Sequence, residues 1–153
     1  MYFEEYLPQR VFALRPVHVT EAGIVEFARR FDPQPYHTDP GSEEARAFGG
    51  VIASGWHTCA LAMRSFVEGY LSAESALPSP GIDELRWHAP VRPGDELAIA
   101  VTVLEATPSR SKPDRGIVRS RIEATNQDDV VVMSMTAINF VRRAPPTAAR
   151  GAS

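Results

Sequence analysis

Cysteine is almost missing from this chain: among 153 residues there is one, Cys59. A single thiol excludes an intramolecular disulfide framework and any multi-thiolate zinc site within one chain. It fits a reducing compartment. An excess of positive charge is missing too. Sixteen Lys and Arg stand against nineteen Asp and Glu, for a net charge of -3. That balance lacks the basic bias of a dedicated nucleic-acid binder. No apolar run approaches the ~18 residues of a membrane span. The opening residues Met1 to Glu5 are acidic where a secretion leader is basic. The expectation is a cytoplasmic protein without nucleic-acid or membrane partners. Proline, by contrast, is plentiful, with 13 residues. So many prolines in one small chain predict segments shaped by loops. With 44% hydrophobic residues, the chain has the size and apolar content of one domain around one core.

Along the chain there is no repeat and no internal low-complexity linker. One domain is expected over residues 1–143. Residues 144–153, rich in Pro, Ala and Arg, are expected to form a disordered tail. Val11 to Thr20 alternates imperfectly and reads as a strand, with Pro16 marking an edge or a kink. Thr20 is placed to cap a helix through Phe31, which Asp32-Pro33 stops. A non-periodic stretch, Pro33 to Gly50, follows, with a short helical turn around Ser42 to Phe48.

Ser54 to Tyr70 is the clearest helix. Trp56, Cys59, Ala60, Met63, Phe66, Val67 and Tyr70 form an apolar stripe at helical spacing, so wide that the helix is expected to be wrapped. Beyond Gly81 the period changes to two. Strands are expected over Gly81 to Val91, Asp95 to Leu104, Ile117 to Thr125 and Val130 to Arg142. Turns lie at Arg92 to Asp95 and Asn126 to Asp129, and Thr107 to Gly116 reads as a basic loop. Short connections imply antiparallel neighbours. The fold class is therefore α+β, an antiparallel sheet wrapped around a long helix.

Chemistry concentrates in Phe31-Asp32-Pro33-Gln34-Pro35-Tyr36-His37-Thr38-Asp39-Pro40. A carboxylate and an imidazole lie five residues apart, in a path that Pro33 and Pro35 constrain. Such a pair is the minimum equipment for moving protons to and from water, and His titrates near neutral pH. On spacing alone, a helix stop and a surface loop histidine explain the same residues. Asp39 is expected to bond the turn and orient His37. Gly49 to Trp56 leads into the apolar helix, whose mouth presents backbone N–H groups and the positive end of a dipole. That suits an oxyanion, although Ser54 as N-cap and Gly55 as a close-packing residue account for it equally well.

Taken together, the two segments resemble the MaoC-like, (R)-specific enoyl-CoA hydratase family of the hotdog superfamily. The matching residues are Asp32, Pro35, His37 and Asp39, then Phe48 and Ile52-Ala53-Ser54-Gly55, and later Val91-Arg92-Pro93-Gly94-Asp95. The likeness covers roughly residues 10–142. It departs from the family where Ser54 replaces the usual His before the helix-mouth glycine. Ala60 stands where a small hydroxyl residue is common, and Trp56 and His57 are bulky.

The resemblance implies a hotdog fold pairing into a homodimer or a dimer of dimers. It implies reversible hydration of a trans-2-enoyl thioester of CoA, or of a carrier protein, to an (R)-3-hydroxyacyl thioester. Asp32 and His37 are then catalytic, and the Gly55 N–H serves the thioester oxygen. Neither a metal nor another cofactor is implied. Substrate contacts are expected from Ser54, Tyr36 and Trp56, and from Arg110 and Lys112 in the basic loop, which suit phosphates. His57 is read as packing before lining the site, Cys59 as a buried apolar residue, and His18 and His88 as surface or interface residues. Two other activities share this pattern: an acyl-CoA thioesterase and a non-catalytic acyl-thioester-binding module.

Overall fold

The structure is a computed structural model and describes residues 1–146. Of the expected tail, residues 147–153 lie outside the described part. The first turn is a 3₁₀ turn, Phe3–Glu5, which no periodicity in the sequence announces. It is a clasp. Phe3 and Tyr6 are buried, the Tyr6 hydroxyl donates to the Tyr70 carbonyl at 3.0 Å, and the Phe3 ring lies over Gly116, where a Cβ would stand 2.1 Å from it. Glu4 accepts from the Arg143 guanidinium at 2.9 Å and from the Ala144 N–H at 3.0 Å.

The first expected strand is broken into β1 (Val11–Ala13) and β2 (Val17–His18), with Pro16 in the gap. Helix α1 (Glu21–Phe31) begins as its sequence predicts, with Thr20 Oγ1 accepting from the Gly23 N–H at 3.0 Å. Two short helices follow. Pro35 occupies the first turn of α2 (Pro35–Thr38), where its missing N–H costs nothing. Ser42 caps α3 (Glu43–Ala47). Gly49 and Gly50, at φ 78° and 130°, then turn the chain into α4 (Gly55–Gly69).

Four strands complete the fold: β3 (Gly81–Trp87), β4 (Glu96–Pro108), β5 (Arg115–Thr125) and β6 (Val131–Arg142). All are antiparallel, in the order β1-β4-β5-β6-β3, and β2 also pairs with β4. The strands are longer than expected at the β4–β5 loop, which shrinks to residues 109–114, while β3 stops at Trp87 instead of reaching Val91. A bulge interrupts β3 between Asp83 and Arg86, where Glu84 adopts φ 54°. The inward residues of β4, namely Leu97, Ile99, Val101 and Val103, are buried as the alternation predicts. They join Phe66, Tyr70, Ile122, Met133 and Met135 in one core.

The face that α4 turns to the sheet corrects the expected stripe. His57, Thr58, Ala62, Ser65 and Phe66 are buried, whereas Trp56, Ala60, Met63 and Val67 are exposed. The buried face thus mixes small and hydroxyl side chains with the large His57 and Phe66. Of the expected stripe, Phe66 and Tyr70 join the core, while Trp56, Met63 and Val67 look away from it. The outer edge of β3 carries Ile82 and Trp87, also exposed.

Candidate active site

Asp32 ends α1, and Pro33 with Pro35 bends the chain so that α2 returns His37 to it. His37 Nε2 lies 3.4 Å from Asp32 Oδ2. His37 is nearly closed off from solvent and Asp32 is partly open, with side-chain exposures of 7% and 20%. Ile52 sets the imidazole in place. Its N–H donates to the Tyr36 carbonyl at 3.0 Å, and its carbonyl lies 2.6 Å from His37 Nδ1. A carbonyl only accepts, so Nδ1 carries the hydrogen. In the neutral ring, Nε2 is then an acceptor facing a carboxylate, itself an acceptor. The two cannot bond each other in that state, and one hydrogen-bearing group beside them can donate to both. The Tyr36 ring packs on His37 with centroids 4.4 Å apart.

Asp32 Oδ1 accepts from Gln34 Nε2 at 2.6 Å, and the Tyr36 hydroxyl donates to Gln34 Oε1. The Asp32 carboxyl is held below the usual carboxylate range. The Ser54 hydroxyl beside it is the largest cause, and the Gln34 amide and the His37 charge add to it, while partial burial opposes. Ser54 is nonetheless fully buried, and its Oγ makes no hydrogen bond of good geometry to any described group. The hydroxyl therefore faces the carboxylate without a settled acceptor.

At the mouth of α4 the Gly55 and Trp56 amides have no backbone acceptor among the described residues, while the His57 N–H donates to the Ser54 carbonyl at 2.9 Å. Gly55 is required there for packing: a Cβ would fall 2.2 Å from Trp87 Cε2. Trp87 in turn meets Trp56 edge to face at 5.2 Å. A cavity of about 290 Å³ opens at this point, lined by Ile52, Gly55, Thr58, Trp87, Val91 and Val132 among others. Neither Asp32 nor His37 is part of its lining; among the described residues Ile52 both lines the cavity and bonds His37.

The structure thus brings Asp32, His37, Tyr36, Ser54 and Gly55 into one neighbourhood and leaves Trp56 on the exposed rim. Arg110 and Lys112 stand in the loop at the far end of β4, a strand whose 13 residues have a contour of about 40 Å. They do not reach the pair of their own chain. Asp39 bonds the Gly41 N–H at 2.9 Å, as expected of a turn residue, but the group that orients His37 is the Ile52 carbonyl. Burial lowers the His57 pKa, and its ring packs on Phe27 at 4.8 Å. Cys59 is a half-buried free thiol 3.5 Å from Met133 Sδ, raised in pKa by burial. His18 pairs with Glu96 at the surface, and His88 meets Ser134 Oγ at 2.7 Å. Gln34 and Ile52 are the contributors that sequence reasoning missed. Both sat within the matched segments, but Ile52 acts through its backbone and leaves no signal in side-chain chemistry.

A family model described as "MaoC like domain" matches residues 4–126. The uncharacterized protein YdeM of Bacillus subtilis (strain 168) is 30% identical over 143 residues, covering 94% of this chain and all of that protein. The crystal structure of a MaoC-like dehydratase from Rhodospirillum rubrum superposes with a TM-score of 0.86 at 43% identity, covering 95% of this chain and 99% of that one. The (R)-hydratase PhaJ1 of Pseudomonas aeruginosa shares the fold at 21% identity, with a TM-score of 0.74 over 99% of this chain and 95% of that one.

Proposed function

This chain belongs to the MaoC-like domain family, and on that premise we propose that it is a hydro-lyase acting on an acyl thioester. The reaction is addition of water to a trans-2-enoyl-CoA, and its reverse, with an (R)-3-hydroxyacyl thioester as product. The observation that carries this reading is the pairing of a buried, carbonyl-anchored imidazole with a carboxylate at 3.4 Å.

A water bridging His37 Nε2 and Asp32 Oδ2 from the open side donates a hydrogen to each. As its oxygen bonds to C3, Nε2 takes one proton, and electron density moves through C2 to the thioester oxygen. That oxygen is stabilised by the Gly55 N–H and the positive end of α4. The proton now on Nε2 is the one available to C2. Its delivery restores the neutral ring and adds both parts of the water to one face of the double bond. Asp32 stays ionised, orients the water and balances the transient imidazolium. No other group needs to change charge.

The exposed apolar face supports a homodimer. Trp56 and Val67 of α4 are 59% and 52% exposed, and they lie on the side of the fold that also carries Met63, Ile82 and Trp87. Contiguous apolar surface of this kind marks an interface. A second copy laid over it closes the Gly55 cavity.

Loss of enoyl absorbance with crotonyl-CoA tests the activity directly. Asp32→Asn and His37→Ala are each expected to lower kcat by about 10²–10⁴ while circular dichroism stays native. Wild-type rates in both folded variants would overturn the assignment. Release of free thiol without hydration, followed with a thiol-reactive dye, identifies a thioesterase instead.

A further inference from the structure

The two oxygens of the Asp32 carboxylate have different surroundings. Oδ2 faces His37 Nε2, while Oδ1 accepts from Gln34 Nε2 at 2.6 Å. The local backbone brings Gln34 there. Its N–H donates to the Asp32 carbonyl at 2.7 Å, across Pro33 alone. A turn of this kind needs a central φ of about −75°, which proline supplies. The polarity of the Gln34 amide follows from its neighbours. An ionised carboxylate only accepts, so the NH₂ end faces Asp32. The carbonyl end faces the Tyr36 hydroxyl, which donates to it.

Tyr36 is itself tied down. Its ring packs on His37 and on Phe48, with centroids 4.4 and 5.9 Å away. Its carbonyl accepts from the Ile52 N–H, and the Ile52 carbonyl in turn fixes His37 Nδ1. One residue thus reaches both members of the pair: Asp32 through the Gln34 amide, and His37 through Ile52.

We propose that Gln34 and Tyr36 are positioning residues that pin Oδ1 of Asp32, so that Oδ2 is held toward the water at His37. The terminal torsion of an aspartate is broad. Without a donor on Oδ1 the carboxylate plane turns, and it spends only part of its time aimed at that water. The bond from Gln34 removes this freedom before substrate arrives. It also favours the ionised form, in keeping with the low pKa of Asp32. The hydrogen of the Tyr36 hydroxyl goes to Gln34 and not to the thioester, a different part from the substrate contact expected of this residue. The inference rests on the hydration proposed above, because it gives the free oxygen a water to hold.

Gln34 is exposed and Tyr36 is half-buried, so Gln34→Leu and Tyr36→Phe leave the core intact. With crotonyl-CoA, Gln34→Leu is expected to lower kcat about tenfold and Tyr36→Phe about threefold, with KM within about twofold of the wild type. The double variant is no slower than Gln34→Leu, because Tyr36 acts through the amide. In Gln34→Leu the acid limb of kcat/KM moves to higher pH. Without substrate, the Asp32 carboxyl titration read by carbon-detected NMR rises in both variants. That measurement needs no turnover. A wild type that leaves crotonyl-CoA unchanged overturns the hydration reading, while a raised titration still upholds the pinning of Oδ1. An unchanged Asp32 titration in Gln34→Leu overturns the inference. So does a Tyr36→Phe that raises KM at unaltered kcat, which makes Tyr36 a substrate contact, and so do losses that multiply in the double variant.

Discussion

Ser54 is the residue on which the electrostatics of the pair turn. Its hydroxyl is the largest influence holding Asp32 down. Replacing it with Ala is expected to move the Asp32 pKa upward, toward the ordinary value of 3.8, as read by carbon-detected NMR titration of the carboxyl. The sign for stability follows. A depressed carboxylate contributes stability above its unfolded pKa and loses it as pH falls through the folded one. Through this carboxylate Ser54→Ala leaves the protein less sensitive to acid. An unchanged Asp32 pKa would assign the lowering to Gln34 and His37 instead. The Asp32 and His37 spacing was legible because two prolines in the intervening segment leave few paths. Ile52 was not legible, because a backbone carbonyl has the same chemistry in every residue.

Among the elements, α4 depends on contact with β3. Gly55 leaves no room for a methyl group beneath the Trp87 indole. Gly55→Ala is expected to cost about 1–3 kcal/mol by overpacking and to lower the thermal midpoint. Pairing it with Trp87→Leu should recover much of that loss, which a double-mutant cycle measures. Thr20→Ala removes the cap of α1 and is expected to cost about 1 kcal/mol in a denaturant titration. Both helices were legible in the sequence, α1 from its cap and its proline stop, and α4 from its apolar spacing. The alternation of β4, β5 and β6 was equally plain. The orientation of α4 was not. An apolar stripe says that a face will be covered, but nothing in one sequence says whether its own sheet or a second copy covers it. The sheet took the face with Thr58, Ala62, Ser65 and Phe66 and left Trp56, Met63 and Val67 outside. The Phe3–Glu5 turn escaped notice because three residues contain no period.

For the molecule as a whole, two tyrosines set an alkaline limit. Burial pushes Tyr70 up to about 12 from 10.0, against a lowering by its bond to Ser120 Oγ at 2.6 Å, and burial raises Tyr6 as well. A raised pKa contributes stability that is fully present below the unfolded value and is lost as pH rises through the folded one. Stability is therefore expected to fall as pH climbs from about 10 to 12, and Tyr70→Phe should make that fall shallower while costing about 1 kcal/mol at neutral pH. Denaturant midpoints across that range check both. Sedimentation equilibrium should return twice the chain mass, and a monomer at micromolar concentration would remove the proposed interface. The clasp at Phe3–Glu5 bears on synthesis. Its partners, Gly116 and Arg143, leave the ribosome after more than a hundred further residues, a delay on the order of ten seconds. Until then Phe3 is a sticky, unsheltered side chain on a nascent chain, and a segment made before its partners waits for them to find its seat. Appending a rigid domain ahead of Met1 should thus hinder maturation more than it harms the finished fold.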